Sequence, residues 1–227
     1  LVSGSFIARA HAQALSCNTP ASIPQPAQPA QGRQSSIHMR HTGYLLALSW
    51  SPEFCRTRLD QARHRLQCSG QMGRFGFILH GLWPDAPGMN DPRWWRPVRV
   101  PDAATIRANL CPTPSADLLA HEWAKHGSCA FADARSYYRA GSGLFSALRF
   151  PDMNGLSRRK RLNAGDLRRA FRAANPAFPV ESIGVVANRR QWLQEMRLCL
   201  GKDFRPRACS TEDQGVLDAV PVKVWRG

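Results

Sequence analysis

Two short stretches hold the residues best able to move protons. Leu118 to Ala130 reads Leu-Leu-Ala-His-Glu-Trp-Ala-Lys-His-Gly-Ser-Cys-Ala and packs His121, Glu122, Lys125 and His126 into two helical turns. On a helix, Glu122 and His126 are four apart and share a face. His121 and Lys125 form a second such pair on a neighbouring face. The other stretch, Phe75 to Asp85, reads Phe-Gly-Phe-Ile-Leu-His-Gly-Leu-Trp-Pro-Asp and adds His80. Imidazole titrates near neutral pH, so one neutral and one charged ring can serve as base and acid in a two-step proton transfer. A nearby lysine and carboxylate would steady a developing anion.

The surrounding sequence says what must hold these groups. Ser115 offers an N-terminal cap and Asp117 a favourable early charge, while Gly127 sits where a helix commonly stops. The spacing therefore predicts a helix over 115–126. Phe75, Phe77 and Leu79 alternate with Gly76, Ile78 and His80 in a run apolar enough for a buried strand. Gly81 and Pro84 are expected to break it, which puts His80 at a strand end. Further strands are expected at Tyr44–Trp50, Ser182–Ala187 and Val216–Trp225, the last near a sheet edge because of Pro221, while Trp192–Leu200 is ambiguous, although Trp192, Met196, Leu198 and Leu200 fit a period of two. Helices are expected at Ala103–Leu110, Asp133–Leu148 and Asp166–Ala174. The mixed order implies an α+β fold, a mostly antiparallel central sheet packed with helices.

A chain of 227 residues can bury one good core. Its 31 Lys+Arg against 16 Asp+Glu give a formal net charge of +15, a field that raises the local concentration of polyanions. Arg far outnumbers Lys, which suits forked phosphate contacts and makes Lys125 stand out. Seven Cys point to an oxidising compartment, hence a secreted or periplasmic location. The first residues are compatible with the tail of a signal peptide, with an Ala-x-Ala site at 12–14. From Asn18 to about Arg40, Pro, Ala, Gln and Ser dominate, as in a linker or extended arm. The expected organisation is thus residues 1–42 as signal remnant and arm, and 43–227 as the catalytic domain. No run reaches the ~18 apolar residues of a membrane span.

The two chemistry-bearing stretches resemble the two active-site segments of the ribonuclease T2 family, and Tyr44–Trp50 resembles that family's first strand. Ser128 stands where Thr is more usual, and Leu119-Ala120 precede His121 where many members place an aromatic; neither touches a proton-transfer group. The resemblance implies a metal-independent endoribonuclease without cofactor, acting on single-stranded RNA through a 2′,3′-cyclic phosphate to 3′-phosphate ends. It implies His126 as base and His80 as acid, with Glu122 orienting the His126 ring or sharing in binding the phosphate, and His121 and Lys125 at the phosphate. Trp83 and Asp85 match base-binding positions, although Trp83 also suits core packing and Asp85 a turn cap. DNA, which lacks the 2′-hydroxyl, is not expected to be cut. A monomer is expected.

The disulfides expected are Cys55–Cys68, Cys111–Cys129 and Cys199–Cys209, with Cys17 left over. Connectivity does not follow from sequence alone, and the family pattern supports the second and third pairs best. Two rivals are weighed. His121-Glu122 resembles the start of a zincin motif, but Lys125 occupies the required second His position, and His126 lies about 140° round the helix from His121. A catalytically silent RNA-binding or envelope protein with the same fold is the other rival, and the complete set of His80, Glu122, Lys125 and His126 argues against it.

Overall fold

The computed structural model describes residues 17–29, 41–86, 92–94 and 96–226. Tyr44, Leu46, Leu48 and Trp50 point one way from strand β1 (Gly43–Trp50) into the core. Two short helices follow, α1 (Ser51–Cys55) and α2 (Arg65–Cys68), clamped together by the Cys55–Cys68 disulfide. Strand β2 (Phe77–Asp85) comes next, then α3 (Ala103–Asn109), α4 (Ala116–Lys125) and α5 (Ala134–Ala147). After α6 (Met153–Ser157) and α7 (Ala164–Ala174) the chain returns to the sheet as β3 (Ile183–Ala187) and β4 (Leu193–Gly201), and closes with α8 (Thr211–Gln214). The four strands lie in the order β2-β1-β4-β3, every neighbouring pair antiparallel.

Local chemistry explains the helix starts. Asp102, Ser115, Asp133 and Asn163 each accept a hydrogen bond from a first-turn backbone N–H of the helix they precede. Asn163 and Asp166 complete a reciprocal capping box. The outer edge of β2 is sealed as well. Leu79 N–H donates to the Pro112 carbonyl, Thr113 Oγ1 donates to the Leu79 carbonyl, and Leu82 N–H donates to the Tyr137 hydroxyl. These bonds fix the segment before α4, and α5, against an edge that would otherwise be open for pairing.

Three expectations are corrected. β2 does not stop at His80: it continues through Gly81 and Pro84 to Asp85, because an edge strand tolerates a proline whose missing N–H faces away from its partner. Residues 216–225 make isolated bridges, Asn163↔Pro221 and Trp192↔Lys223, instead of a fifth strand. Val222 and Val224 are nonetheless buried, so this segment caps the core from outside the sheet.

The third correction concerns the cysteines. Cys199–Cys209 forms as expected, but Cys111 pairs with Cys17 and not with Cys129. Cys129 instead donates its thiol to the Lys125 carbonyl at 3.6 Å, in the turn that ends α4. The partner of Cys111 comes from the arm. Residues 17–29 carry no helix or strand, yet they are laid along the body. Asn18 N–H donates to the Met72 carbonyl, Arg107 reaches the Pro20 and Ala21 carbonyls, and Ala27 N–H donates to Asp117 at the start of α4.

The Cys17–Cys111 bridge closes a separation of 94 residues. In the chain-entropy model a loop of that size stabilises by about 4–5 kcal/mol. The double variant Cys17→Ser, Cys111→Ser is expected to lose stability of that order in urea unfolding under oxidising conditions. An unchanged unfolding midpoint would show the bridge to be idle.

Candidate active site

The site lies where the β2 edge meets α4, and a β-bulge shapes it. Ala47 faces Gly81 and Leu48 faces Leu79, so His80 is the extra residue opposite a continuous β1. A bulge shifts the alternation of side chains by one position. Leu79 and Leu82, an odd number apart, both face Gly141 of α5 on the core side. His80 and Trp83, also an odd number apart, share the other side, their rings edge-to-face with centroids 5.1 Å apart. A regular strand would send them to opposite faces.

α4 supplies the second imidazole. His126 caps its C-terminus, with its N–H still donating to the Glu122 carbonyl at 3.0 Å. The ring stacks on Trp83, centroids 5.1 Å apart and planes 23° apart. His80 and His126 thus meet on one indole. That indole donates to Glu122 Oε2 at 2.6 Å, and Glu122 Oε1 lies 3.6 Å from His80 Nε2. Gly81 makes this approach possible: a Cβ there would stand 2.2 Å from Glu122 Oε2 and 2.6 Å from Trp83 Nε1.

The two rings have opposite electrostatic settings. His126 is only 4% exposed, and its Nδ1 has no hydrogen-bond partner among the described residues. Burial, reinforced by Lys125, Arg93, His80 and His121, pushes its pKa down to about 2, so the ring is neutral. The His80 side chain is 31% exposed and reachable from solvent. Burial disfavours its charge, but the hydrogen bond to Glu195 and the charges of Glu122 and Glu195 outweigh that and raise its pKa. Glu122 is buried; desolvation raises its pKa despite His80, Trp83 and Lys125, which favour the anion.

His121 is half-buried, edge-on to Trp94 with centroids 5.4 Å apart. Burial, Lys125 and His80 lower its pKa. Trp94 is half-buried, and its backbone N–H donates to the Lys125 carbonyl at 2.8 Å, pinning the preceding chain to the end of α4. Lys125 occupies the last turn of α4, where the helix dipole favours a cation. Trp95 lies outside the described residues.

His80, Trp83, His121, Glu122, Lys125 and His126 are therefore brought together around one end of α4. Asp85 is not. Its carboxylate is buried and held by an ion pair with Arg207, at the far end of β2 where Gly43 is its cross-strand partner. Its observed partner is the Arg207 guanidinium, which offsets the cost of burying the charge. Among the described residues, no three His, Cys, Asp or Glu side chains are grouped so as to hold a metal ion.

Sequence reasoning missed Glu195, whose Oε2 lies 2.8 Å from His80 Nδ1, and Ser49, whose Oγ lies 3.2 Å from the same atom. Arg197 Nε donates to Glu195 Oε1 at 2.9 Å. A signal was present: Met196, Leu198 and Leu200 mark one face of β4, so Glu195 and Arg197 stand together on the other.

Comparisons with known proteins give the family and the fold. The model of the ribonuclease T2 family matches residues 42–209. A protein of Aeromonas hydrophila named ribonuclease is 33% identical over 187 residues, spanning 75% of this chain and 77% of its own. A probable ribonuclease of Haemophilus influenzae is 38% identical over 119 residues, 48% of this chain and 44% of that protein, so the chain spans less than half the length of that relative. Among solved structures, trichomaglin, described as a novel S-like ribonuclease, superposes with a TM-score of 0.65 at 20% identity, over 82% of this chain and 98% of its own; that likeness speaks for the fold. With the family model covering the sheet and both imidazole-bearing segments, this chain belongs to the ribonuclease T2 family.

Proposed function

We propose that this T2-family ribonuclease is a metal-independent endoribonuclease. It cleaves single-stranded RNA by transphosphorylation through a 2′,3′-cyclic phosphate, which water then opens to a 3′-phosphate. His126 takes the proton of the ribose 2′-hydroxyl. The oxygen attacks phosphorus, and His80 protonates the departing 5′-oxygen. In the second stage the roles reverse: His80, now neutral, deprotonates water, and His126 returns its proton to the 2′-oxygen. The observation that carries this reading is the pair of imidazoles on one indole, His126 held neutral and His80 held towards its charged form.

The cationic groups complete the scheme. Lys125 and His121, at the same end of α4, supply positive charge to the phosphodiester. An anion seated there would offset the cations that depress His126 and lift its basicity toward a useful range. Glu122, inclined to its acid form by burial, is suited to donate a hydrogen bond to a phosphate oxygen. These groups act on phosphate and ribose, which every nucleotide shares; this supports low base specificity and the requirement for a 2′-hydroxyl. Three disulfides are compatible with a secreted or periplasmic setting, and the chain is proposed to work as a monomer. Among the described residues, no helix is long and apolar enough to cross a membrane.

The test is release of acid-soluble nucleotides from yeast RNA, with and without a chelator. Equal release in both supports the reading. Loss under chelator that zinc restores would favour the metallohydrolase, and binding without release would favour a silent RNA-binding protein.

A further inference from the structure

His80 stands between two carboxylates, and the proposal concerns the one that the proton-transfer scheme leaves without a task. We infer that Glu195 is a positioning residue for His80: it holds Nδ1 so that Nε2 is the atom that gives and later takes the proton. The inference rests on His80 being the general acid.

The geometry supports a dedicated hold. Glu195 Oε2 sits 2.8 Å from Nδ1, a normal charge-assisted hydrogen bond, whereas Glu122 Oε1 is 3.6 Å from Nε2, beyond one. Glu195 is itself fixed. Oε1 accepts from Arg197 Nε at 2.9 Å, Arg197 Nη1 lies 3.9 Å from Asp213 of α8, and Ser49 Oγ donates to Oε2 at 3.5 Å. The side chain is 9% exposed, so water competes little for the bond. The bulge leaves His80 without a cross-strand partner on β1, so its ring direction has to be set by side chains.

Charge leads to the same residue. His80 is faced by Glu195 from β4, by Glu122, Lys125, His121 and His126 from the α4 segment, and by the uncharged Ser49 from β1. Burial raises Glu122 toward its acid form. Burial acts on Glu195 too, but the His80 bond and charge and Arg197 outweigh it and lower its pKa. Glu195 is thus the carboxylate whose anion the site favours, and it makes the shorter contact with the His80 ring. After His80 gives up the Nε2 proton, Glu195 retains the Nδ1–H tautomer, which leaves the Nε2 lone pair ready for the second stage. This is the orienting logic of a buried carboxylate behind a catalytic imidazole.

The experiment compares wild type, Glu195→Gln and Glu195→Asp. Glu195→Gln keeps an acceptor for Nδ1–H and removes the charge; Glu195→Asp keeps the charge and shortens the reach. Two readouts are taken on each protein: the His80 ring titration by NMR, and the pH dependence of kcat/KM on the dinucleotide UpA. In Glu195→Gln the His80 titration is expected to move down, and the alkaline limb of kcat/KM to move down with it, with a loss of roughly tenfold or more on the alkaline side. KM should change little, and Glu195→Asp should recover part of both shifts. A His80 titration unchanged in Glu195→Gln overturns the inference. A titration that moves while the alkaline limb stays put shows instead that His80 is not the acid, and the scheme above fails with it. Thermal unfolding of each variant separates either result from loss of the fold.

Discussion

His126→Ala and His80→Ala are each expected to lower kcat/KM on single-stranded RNA by roughly 10²–10⁴, the usual contribution of a positioned acid or base. The two losses should differ in form. In wild type, with His80 as the proposed acid, activity is expected to fall as pH rises through the His80 pKa, which lies above the ordinary imidazole value. His80→Ala should remove that alkaline limb along with the rate. His126→Ala should leave the limb in place on a much lower profile, because His80 is still there to titrate. In the RNA-free protein the acid limb from His126 is expected far down, because burial pushes its pKa to about 2. pH–rate profiles of both variants check this. A variant with wild-type rate would remove that imidazole from the reaction, and a surviving alkaline limb in His80→Ala would assign the acid to another group.

Gly81→Ala is expected to cost about 10²-fold in kcat/KM, although no proton-transfer group is altered. The new methyl would stand 2.2 Å from Glu122 Oε2 and 2.6 Å from Trp83 Nε1. No such contact survives, so the carboxylate, the indole or the bulge must shift. The indole touches both imidazoles, so a shift there displaces both. A misplacement of about 1 Å in a reacting constellation is worth on the order of 10²-fold. The loss should fall mainly on kcat, measured on UpA, with thermal unfolding as the control. A near-wild-type kcat would mean that the distance from Glu122 to Trp83 is not critical.

Much of the active-site helix was legible because its signals are local. Ser115 caps it and the spacing of Glu122 and His126 puts both at one end, as the structure has them. The first strand follows from its apolar run, and the period of two through Met196, Leu198 and Leu200 marks the apolar face of β4. His80 was misplaced at a strand end because Gly81 and Pro84 read as breakers. A bulge at an edge strand uses just those residues, and no single-strand pattern reveals the partner register that makes it a bulge. The partner of Asp85 was hidden for a related reason: Arg207, 122 residues away, reaches its carboxylate. The Cys17–Cys111 bridge depends on the path of the arm over the body, and composition describes the arm as a linker without saying where it lies. Glu195 reaches His80 across 115 positions of sequence and only through sheet pairing.

The most direct test uses a short single-stranded oligodeoxynucleotide that carries one ribonucleotide. Scission should occur solely at the linkage 3′ to that ribose, and the new end should be a 2′,3′-cyclic phosphate that turns slowly into a 3′-phosphate, followed by ³¹P NMR. Cutting at any of the deoxy linkages, or a first product bearing a 5′-phosphate, would mean that the attacking oxygen comes from water and not from the substrate, and the two-imidazole account would be wrong.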